Sequence, residues 1–409
     1  MTGMTILRLA TRNLKRSPRR SLLTMSAVIA GVGVFILGEG FVSGLTENIL
    51  VAAIRGTVGH VLARPAGYPT QPGQHPVDEL LQVTPAARIL LDRESVAWTT
   101  RTYFAPTVAA GPDALRAVAI GFDPARDSAV FPRDQWKVRG AMPSADQDAV
   151  AVSHRVARLL KLELGARIIL QVRTHRGAMN ALDVAVAAIT TTNNPALDSL
   201  GIFVPAPLAH KLLATTLPSH LSVKLRSRDA ADAFAARLGQ ALGEAASVVT
   251  WREETAELVQ IQNVRRRALD LVMAVLMALA AFGIVNTVLM AAYERVREIG
   301  TLRALGMTEQ GVLRLFVLEG LLIGVVGSLL GAAWGALLTY HWSVYPIDFS
   351  KSMEQTGGTY SASALVYTRL SPEIVLVTIA LGVLVSVLAS IYPARVASRM
   401  APADAVRAA

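Results

Sequence analysis

Glu294-Arg-Val-Arg-Glu-Ile-Gly-Thr-Leu-Arg-Ala-Leu-Gly306 is a charged stretch lying between two long apolar runs, Ala268–Ala292 and Val312–Tyr340. Val296, Ile299 and Leu302 recur at i, i+3 and i+6, which places them on one face of a helix. Glu294, Arg295, Arg297, Glu298 and Arg303 occupy much of the remaining circumference, a surface suited to docking on another protein. An ordinary solvated loop with positive-inside charge has the same composition. Either way the stretch reads as a short cytoplasmic connection between two membrane spans.

Working outward, the chain of 409 residues is 52% hydrophobic and only 17% charged, too apolar for an ordinary soluble enzyme. Its apolar residues gather in blocks near 20 residues long, the thickness of a bilayer core. The net charge of +10 comes from Arg and Lys crowded beside those blocks, so membrane orientation explains it. Basic and aromatic residues are not interleaved as a nucleic-acid platform requires, and no nucleic-acid partner is expected. The absence of cysteine excludes disulfides, thiolate metal sites and cysteine nucleophiles.

The predicted architecture is an α-helical membrane protein with four transmembrane helices. An α+β extracytoplasmic domain is inserted between helices 1 and 2. Residues 1–21 form a cytoplasmic amphipathic helix and 22–42 the first span, with the apolar core at Leu22–Phe41. Arg8, Arg12, Lys15, Arg16, Arg19 and Arg20 precede it, which keeps the N-terminus in the cytoplasm. A signal peptide shares that polarity, but the apolar run is long and leads into Glu39 and a polar segment, so it reads as a retained span. The second span covers 268–292, the cytoplasmic connection 293–311 and the third span 312–340. An extracytoplasmic loop at 341–371, the fourth span at 372–392 and a cytoplasmic tail at 393–409 follow. Arg295, Arg297, Arg303, Arg395, Arg399 and Arg407 then share the inner side. Arg265-Arg266-Arg267 lies just outside the second span, where positive charge is disfavoured; a stalk, a headgroup contact or a shifted boundary would each accommodate it.

Residues 43–267 are enough for one or two domains. Prolines at 65, 69, 72 and 76 mark an irregular lead-in. Alternation predicts strands at Ala149–Val152, Arg167–Val172, Leu182–Ile189 and Leu221–Leu225. Helices are predicted at His154–Leu162, Pro207–Ala214 and Asp229–Leu242, the last capped by Asp229.

Gly320, Gly324, Gly327, Gly331 and Gly335 punctuate the third span with overlapping G-x-x-x-G pairs, a face on which another helix can approach closely. Glu319 lies within that span and Glu39 near the outer end of the first. An intramembrane acid is a functional candidate by default. For Glu319, about two turns from the cytoplasmic edge, snorkelling or an intersubunit hydrogen bond serves equally well. Neither acid has a second acid or histidine at helical spacing in its own span, so a proton relay is not expected.

The seven histidines form no H-E-x-x-H or other compact metal pattern, and there is no G-x-S-x-G elbow. No catalytic, cofactor-binding or metal site is expected in this chain. Nor is there a G-x-x-x-x-G-K-[ST], so ATP phosphates cannot be cradled here through a P-loop.

Tyr293–Met307, running into Leu315-Phe-Val-Leu-Glu-Gly-Leu-Leu-Ile-Gly324, resembles the MacB/FtsX/LolC-type permeases, the type VII or mechanotransmission ABC transporters. Ala10–Thr24 is similar to the family's N-terminal lateral helix and Tyr392–Arg407 to its C-terminal tail. Ala149–Leu170, Ala188–Leu213 and the Trp251 region are similar to its extracytoplasmic domain. The resemblance implies a non-catalytic permease subunit of the bacterial cytoplasmic membrane, paired with a second copy or a paralogue in the lipid bilayer. It also implies a separate P-loop ATPase that binds ATP-Mg and docks on Glu294, Arg295, Arg297, Glu298 and Arg303. The cargo would be a lipoprotein, lipid or other hydrophobic compound. The alternatives are an FtsX-like transducer that regulates an envelope hydrolase, and a membrane-anchored extracytoplasmic enzyme. MacB itself carries its ATPase in the same chain; the layout here is closer to LolC and LolE. The loop at 341–371, with Trp342, Tyr345, Tyr360 and Tyr367, contacts cargo or caps the spans.

Overall fold

The structure, a computed structural model, describes residues 9–12, 18–69, 74–192, 194–349 and 365–399. Arg8, Lys15, Arg16, Pro72, Tyr360, Arg407, residues 350–364 of the 341–371 loop and residues 400–409 of the C-terminal tail lie outside them. The chain divides into two compact units: Met1–Leu45 with Ile261–Ile347 and Val366–Ala409, and Thr46–Gln260 with Asp348–Leu365.

Among the described residues, four helices are long and apolar enough to cross a membrane. Each outruns its apolar run, because hydropathy ends where polar residues begin whereas helix geometry ends only at a breaker or cap. The first helix, Pro18–Ala53, continues through Ser43, Thr46, Glu47 and Asn48 into a π-turn at Ile54–Val58, which stops at Gly59 with φ +76°. The second, Ala256–Glu294, begins well before Ala268. A capping box between Thr250 and Glu253 starts a one-turn helix, Trp251–Glu254, just upstream of it. The third, Glu309–Val344, is capped by Thr308, whose hydroxyl accepts from the Gly311 amide at 3.2 Å. The fourth, Pro372–Ser398, has proline in its first turn and carries Pro393 inside it. It packs along the third helix.

The other unit is built on a twelve-stranded sheet: β1 (Val61–Pro65), β2 (Ala97–Phe104), β3 (Thr107–Ala110), β4 (Asp113–Arg116), β5 (Val118–Phe122), β6 (Lys137–Gly140), β7 (Ala149–Ser153), β8 (Arg167–Arg173), β9 (Met179–Thr191), β10 (Gly201–Pro205), β11 (His220–Lys224) and β12 (Ala246–Thr250). The strand order is β12-β1-β11-β2-β5-β10-β7-β9-β8-β3-β4, with β6 on β9. The β5/β10 and β7/β9 pairs are parallel and the other recorded pairs antiparallel. In sequence these strands all fall between the first and second long helices.

Alternation was a good guide where one face meets the core: β8 alternates exposed and buried residues along its whole length. It was blind to β10, which is buried throughout, and to β6, which is exposed throughout. One cap differs from expectation. The Ser227 hydroxyl, not Asp229, accepts from the Asp229 amide, and a 3₁₀ turn at Arg228–Ala230 precedes the helix Ala231–Leu242. Lys161 at φ +52° ends the His154–Leu159 helix earlier than the apolar pattern implied.

Candidate functional site

The connection between the second and third long helices contains a short helix, Val296–Ala304, entered through Arg295 and left through Gly306 at φ +93°. Ile299 is 4% exposed and anchors its inner face. Arg297, Glu298, Thr301 and Leu305 are exposed at i, i+1, i+4 and i+8, one ridge along the short helix, and Glu294, the last residue of the second long helix, is exposed as well. Leu305 is 80% exposed.

The five charged residues singled out from the sequence divide between two faces. Arg297 and Glu298 stand on the exposed ridge, and Glu294 is exposed at the end of the second long helix. Arg295 and Arg303 lie four residues either side of Ile299 and turn to the third long helix. Arg295 Nη1 donates to Glu319 Oε1 at 3.3 Å, and Arg303 Nη2 donates to Glu309 Oε1 at 3.1 Å. Glu319 is buried and its partner lies on the neighbouring element, so helical spacing within its own span carried no sign of it.

The glycines of the third helix serve two neighbours. A Cβ on Gly320 would meet Ser390, and one on Gly324 would meet Ser386, both on the fourth helix. A Cβ on Gly327 would lie 3.0 Å from Val28, one on Gly331 2.7 Å from the Ile29 carbonyl oxygen, and one on Gly335 2.6 Å from that of Gly33, all on the first helix. One glycine row thus seats two helices at near-backbone distance.

The arginine triplet also finds an explanation. Arg266 Nε donates to Glu39 Oε1 at 3.0 Å and its Nη2 forms an ion pair with the same oxygen at 3.0 Å, tying the second helix to the first. The positive charge that looked misplaced neutralises a buried acid. Arg265 and Arg267 are exposed beside it.

In the sheet-bearing unit, sequence reasoning missed a buried charge cluster. Arg101 is fully buried on β2; its Nε and Nη2 donate to Asp127 Oδ1 and Oδ2 at 2.7 and 3.0 Å, and Nη1 donates to the Gly56 carbonyl in the π-turn at 2.6 Å. Arg133 adds a second contact to Asp127 Oδ2 at 3.0 Å. Burial would lower the Arg101 pKa, but the Asp127 carboxylate prevails and holds it above the ordinary value. Beside Arg101, His220 packs edge-on to Tyr68 and Tyr103, and its Nδ1 shares a 2.8 Å hydrogen bond with the Ser219 hydroxyl. Burial, then the charge of Arg64, pushes His220 down to about 3. Burial also lowers His60 and His75. These histidines are neutral packing groups, and no metal-ligating cluster occurs among the described residues.

Residues 21–241 match the family described as MacB-like periplasmic core domain, and residues 271–402 match FtsX-like permease C-terminal. The lipoprotein-releasing system transmembrane protein LolC of Xylella fastidiosa is 30% identical over 192 residues, 45% of each chain. The macrolide export ATP-binding/permease protein MacB of Chromobacterium violaceum is 27% identical over 154 residues, 37% of this chain and 21% of that one. A crystal structure of the periplasmic region of MacB from Actinobacillus actinomycetemcomitans aligns with a TM-score of 0.36 and 13% identity, covering 51% of this chain and 97% of that one. The chain spans about half the length of the LolC relatives it matches, 45% for the Xylella protein.

Four membrane-length helices among the described residues, a MacB-like match over residues 21–241 and a charged short helix between the second and third long helices define a permease-type membrane protein. The chain belongs to the MacB/FtsX/LolC-type family, the type VII or mechanotransmission ABC transporter permeases.

Proposed function

We propose that this chain is the membrane subunit of an ABC transporter whose energy comes from a separate P-loop ATPase. The ATPase binds ATP-Mg and docks on the exposed charges Glu294, Arg297 and Glu298. Its cycle drives conformational change in the extracytoplasmic domain, which extracts or exports a hydrophobic cargo such as a lipoprotein or lipid. The subunit works in a pair, with a second copy or a related chain, in the bacterial inner membrane with both termini cytoplasmic. The observation that carries the reading is the exposed charged ridge on a short helix anchored between two membrane-length helices, inside the FtsX-like match. A ridge of both signs offers complementary charge to a soluble partner and sets orientation as much as affinity. The names of the LolC and MacB relatives, lipoprotein release and macrolide export, support a hydrophobic cargo. No observation favours the transducer alternative.

The test is affinity purification of the tagged chain from its native membrane in mild detergent, with mass spectrometry of what accompanies it. A small P-loop ATPase should be recovered. Reversing Arg297 and Glu298 together (R297E/E298R) should abolish permease-stimulated hydrolysis while the chain keeps its melting behaviour. Recovery of the chain alone, with hydrolysis by any co-encoded ATPase indifferent to it, would sink the proposal.

A further inference from the structure

The short helix at Val296–Ala304 is held at both ends by arginines on its inner face. Arg295 and Arg303 are eight residues apart, about 12 Å along a helix, with the buried Ile299 midway. Their acceptors, Glu319 and Glu309, both belong to the third long helix. The two pairs differ in setting. The Arg295 and Glu319 side chains are 14% and 8% exposed, whereas Glu309 is 60% exposed. A well-covered carboxylate separated from its cation is costly, so Glu319 constrains Arg295 far more tightly than Glu309 constrains Arg303. Glu319 is itself fixed in place, because the next residue, Gly320, lies against Ser390 of the fourth helix. The chain thus runs from a tight helix–helix contact, through a carboxylate, to the first residue of the connection.

We propose that Arg295 is a positioning residue: its ion pair with Glu319 sets the orientation of the short helix, and Arg303 with Glu309 supplies a weaker second anchor. The two arginines then present the Arg297–Glu298 ridge to the ATPase without touching it. The inference rests on the docking reading above for its consequence, and on the permease alone for its geometry. It makes Glu319 a part of the coupling machinery through a charge pair, with no proton movement and no cargo contact at that carboxylate.

The test uses the full chain in lipid nanodiscs, as wild type, R295Q, E319Q, the double R295Q/E319Q and the swap R295E/E319R. Amide hydrogen exchange over residues 296–305 should rise about tenfold in each single variant, a factor between those of exposed and buried pairs. It should rise no further in the double and return towards wild type in the swap. Exchange over 320–335 should stay unchanged in the single variants. R295K, which keeps the charge, covers the case in which the single variants loosen the third helix, and should exchange nearly as wild type. Wild-type exchange in both R295Q and E319Q would overturn the inference, as would a swap no better than the double.

The second arm adds the P-loop ATPase recovered with the chain. Its half-saturating concentration should rise equally in R295Q and E319Q, with the plateau rate kept, and recover in the swap. A loss in R295Q that the swap leaves in place would make Arg295 a direct contact and refute the positioning role. If no ATPase binds even the wild type, the docking reading falls, and the exchange arm still decides the ion pair.

Discussion

Substituting alanine along the glycine row of the third helix separates two kinds of close contact, and the structure sets the order of the outcomes. At Gly331 a Cβ would sit 2.7 Å from the Ile29 carbonyl oxygen and 3.1 Å from its Cα, against about 3.5–4.0 Å for relaxed carbon contacts. The obstruction is backbone, so the first and third helices must part. Overpacking of this kind costs about 1–3 kcal/mol. At Gly320 the obstruction is the Ser390 side chain, with Cβ 2.5 Å and Oγ 2.6 Å from the new methyl group. Gly283, on the second helix, has nothing within 4 Å. Each substitution also gains up to about 1 kcal/mol of helix propensity, so Gly283→Ala is the reference that cancels it. Relative to that reference, Gly331→Ala and Gly320→Ala should each be destabilising by about 1–3 kcal/mol. Ser390→Gly should rescue only the second, with the rescue read as a coupling energy in a double-mutant cycle. The assay is unfolding of the purified chain in mixed micelles by increasing denaturing detergent, followed by tryptophan fluorescence. A Gly331→Ala protein as stable as Gly283→Ala would refute the backbone-contact argument. Failure of Ser390→Gly to rescue Gly320→Ala would refute the assignment of that contact.

Asp127→Asn should cost about 3–5 kcal/mol, because it leaves Arg101 charged in a fully buried site. Asp183→Asn, which breaks a pair exposed by 61% and 56%, should cost at most about 1 kcal/mol; chemical denaturation of both variants compares them. The lowered pKa values of His60, His75 and His220 give a pH dependence of one sign. The unfolded imidazoles take up protons below about 6.5 while the folded ones resist. Stability is therefore complete above that pH and falls as pH drops towards 3, the value for His220, by up to about 1.4 kcal/mol per pH unit for each proton. Denaturation midpoints from pH 7 to 4 should show this fall, and His220→Gln should flatten it; an equal slope in that variant would count against His220 as a source. Among the three consecutive arginines, Arg266→Ala should destabilise more than Arg265→Ala or Arg267→Ala, since only Arg266 has a recorded ion pair with Glu39. Equal effects in the same detergent titration would remove that pair from the account.

Much of this protein follows from local pattern. A run such as Val312–Tyr340 has few alternatives to a membrane helix, because hydrocarbon leaves no other partner for its backbone groups. The three- and four-residue spacing of Gly320 to Gly335 places small residues on one face whatever packs there, and the alternation in Arg167–Arg173 decides its buried side. Family membership was legible for the same reason, since the motifs that carry it are contiguous. Even the division of the short helix was within reach: Arg295 and Arg303 each stand four residues from Ile299, a spacing that assigns them to its face.

What tertiary structure decided were the partners, each far off in sequence. Glu319 looked like a solitary intramembrane acid until Arg295 was placed beside it from the preceding connection, and Arg266 looked misplaced until Glu39 met it across 227 positions. Arg101 offered no signal at all. A charged residue within Ala97–Phe104 reads as solvent-facing, and only the meeting of β2 with Asp127 and the Gly56 carbonyl makes it a core residue. Composition and periodicity report where a residue stands on its own element. The energy of a charge depends on what other elements bring within about 4 Å of it, and that distance is a property of the fold alone.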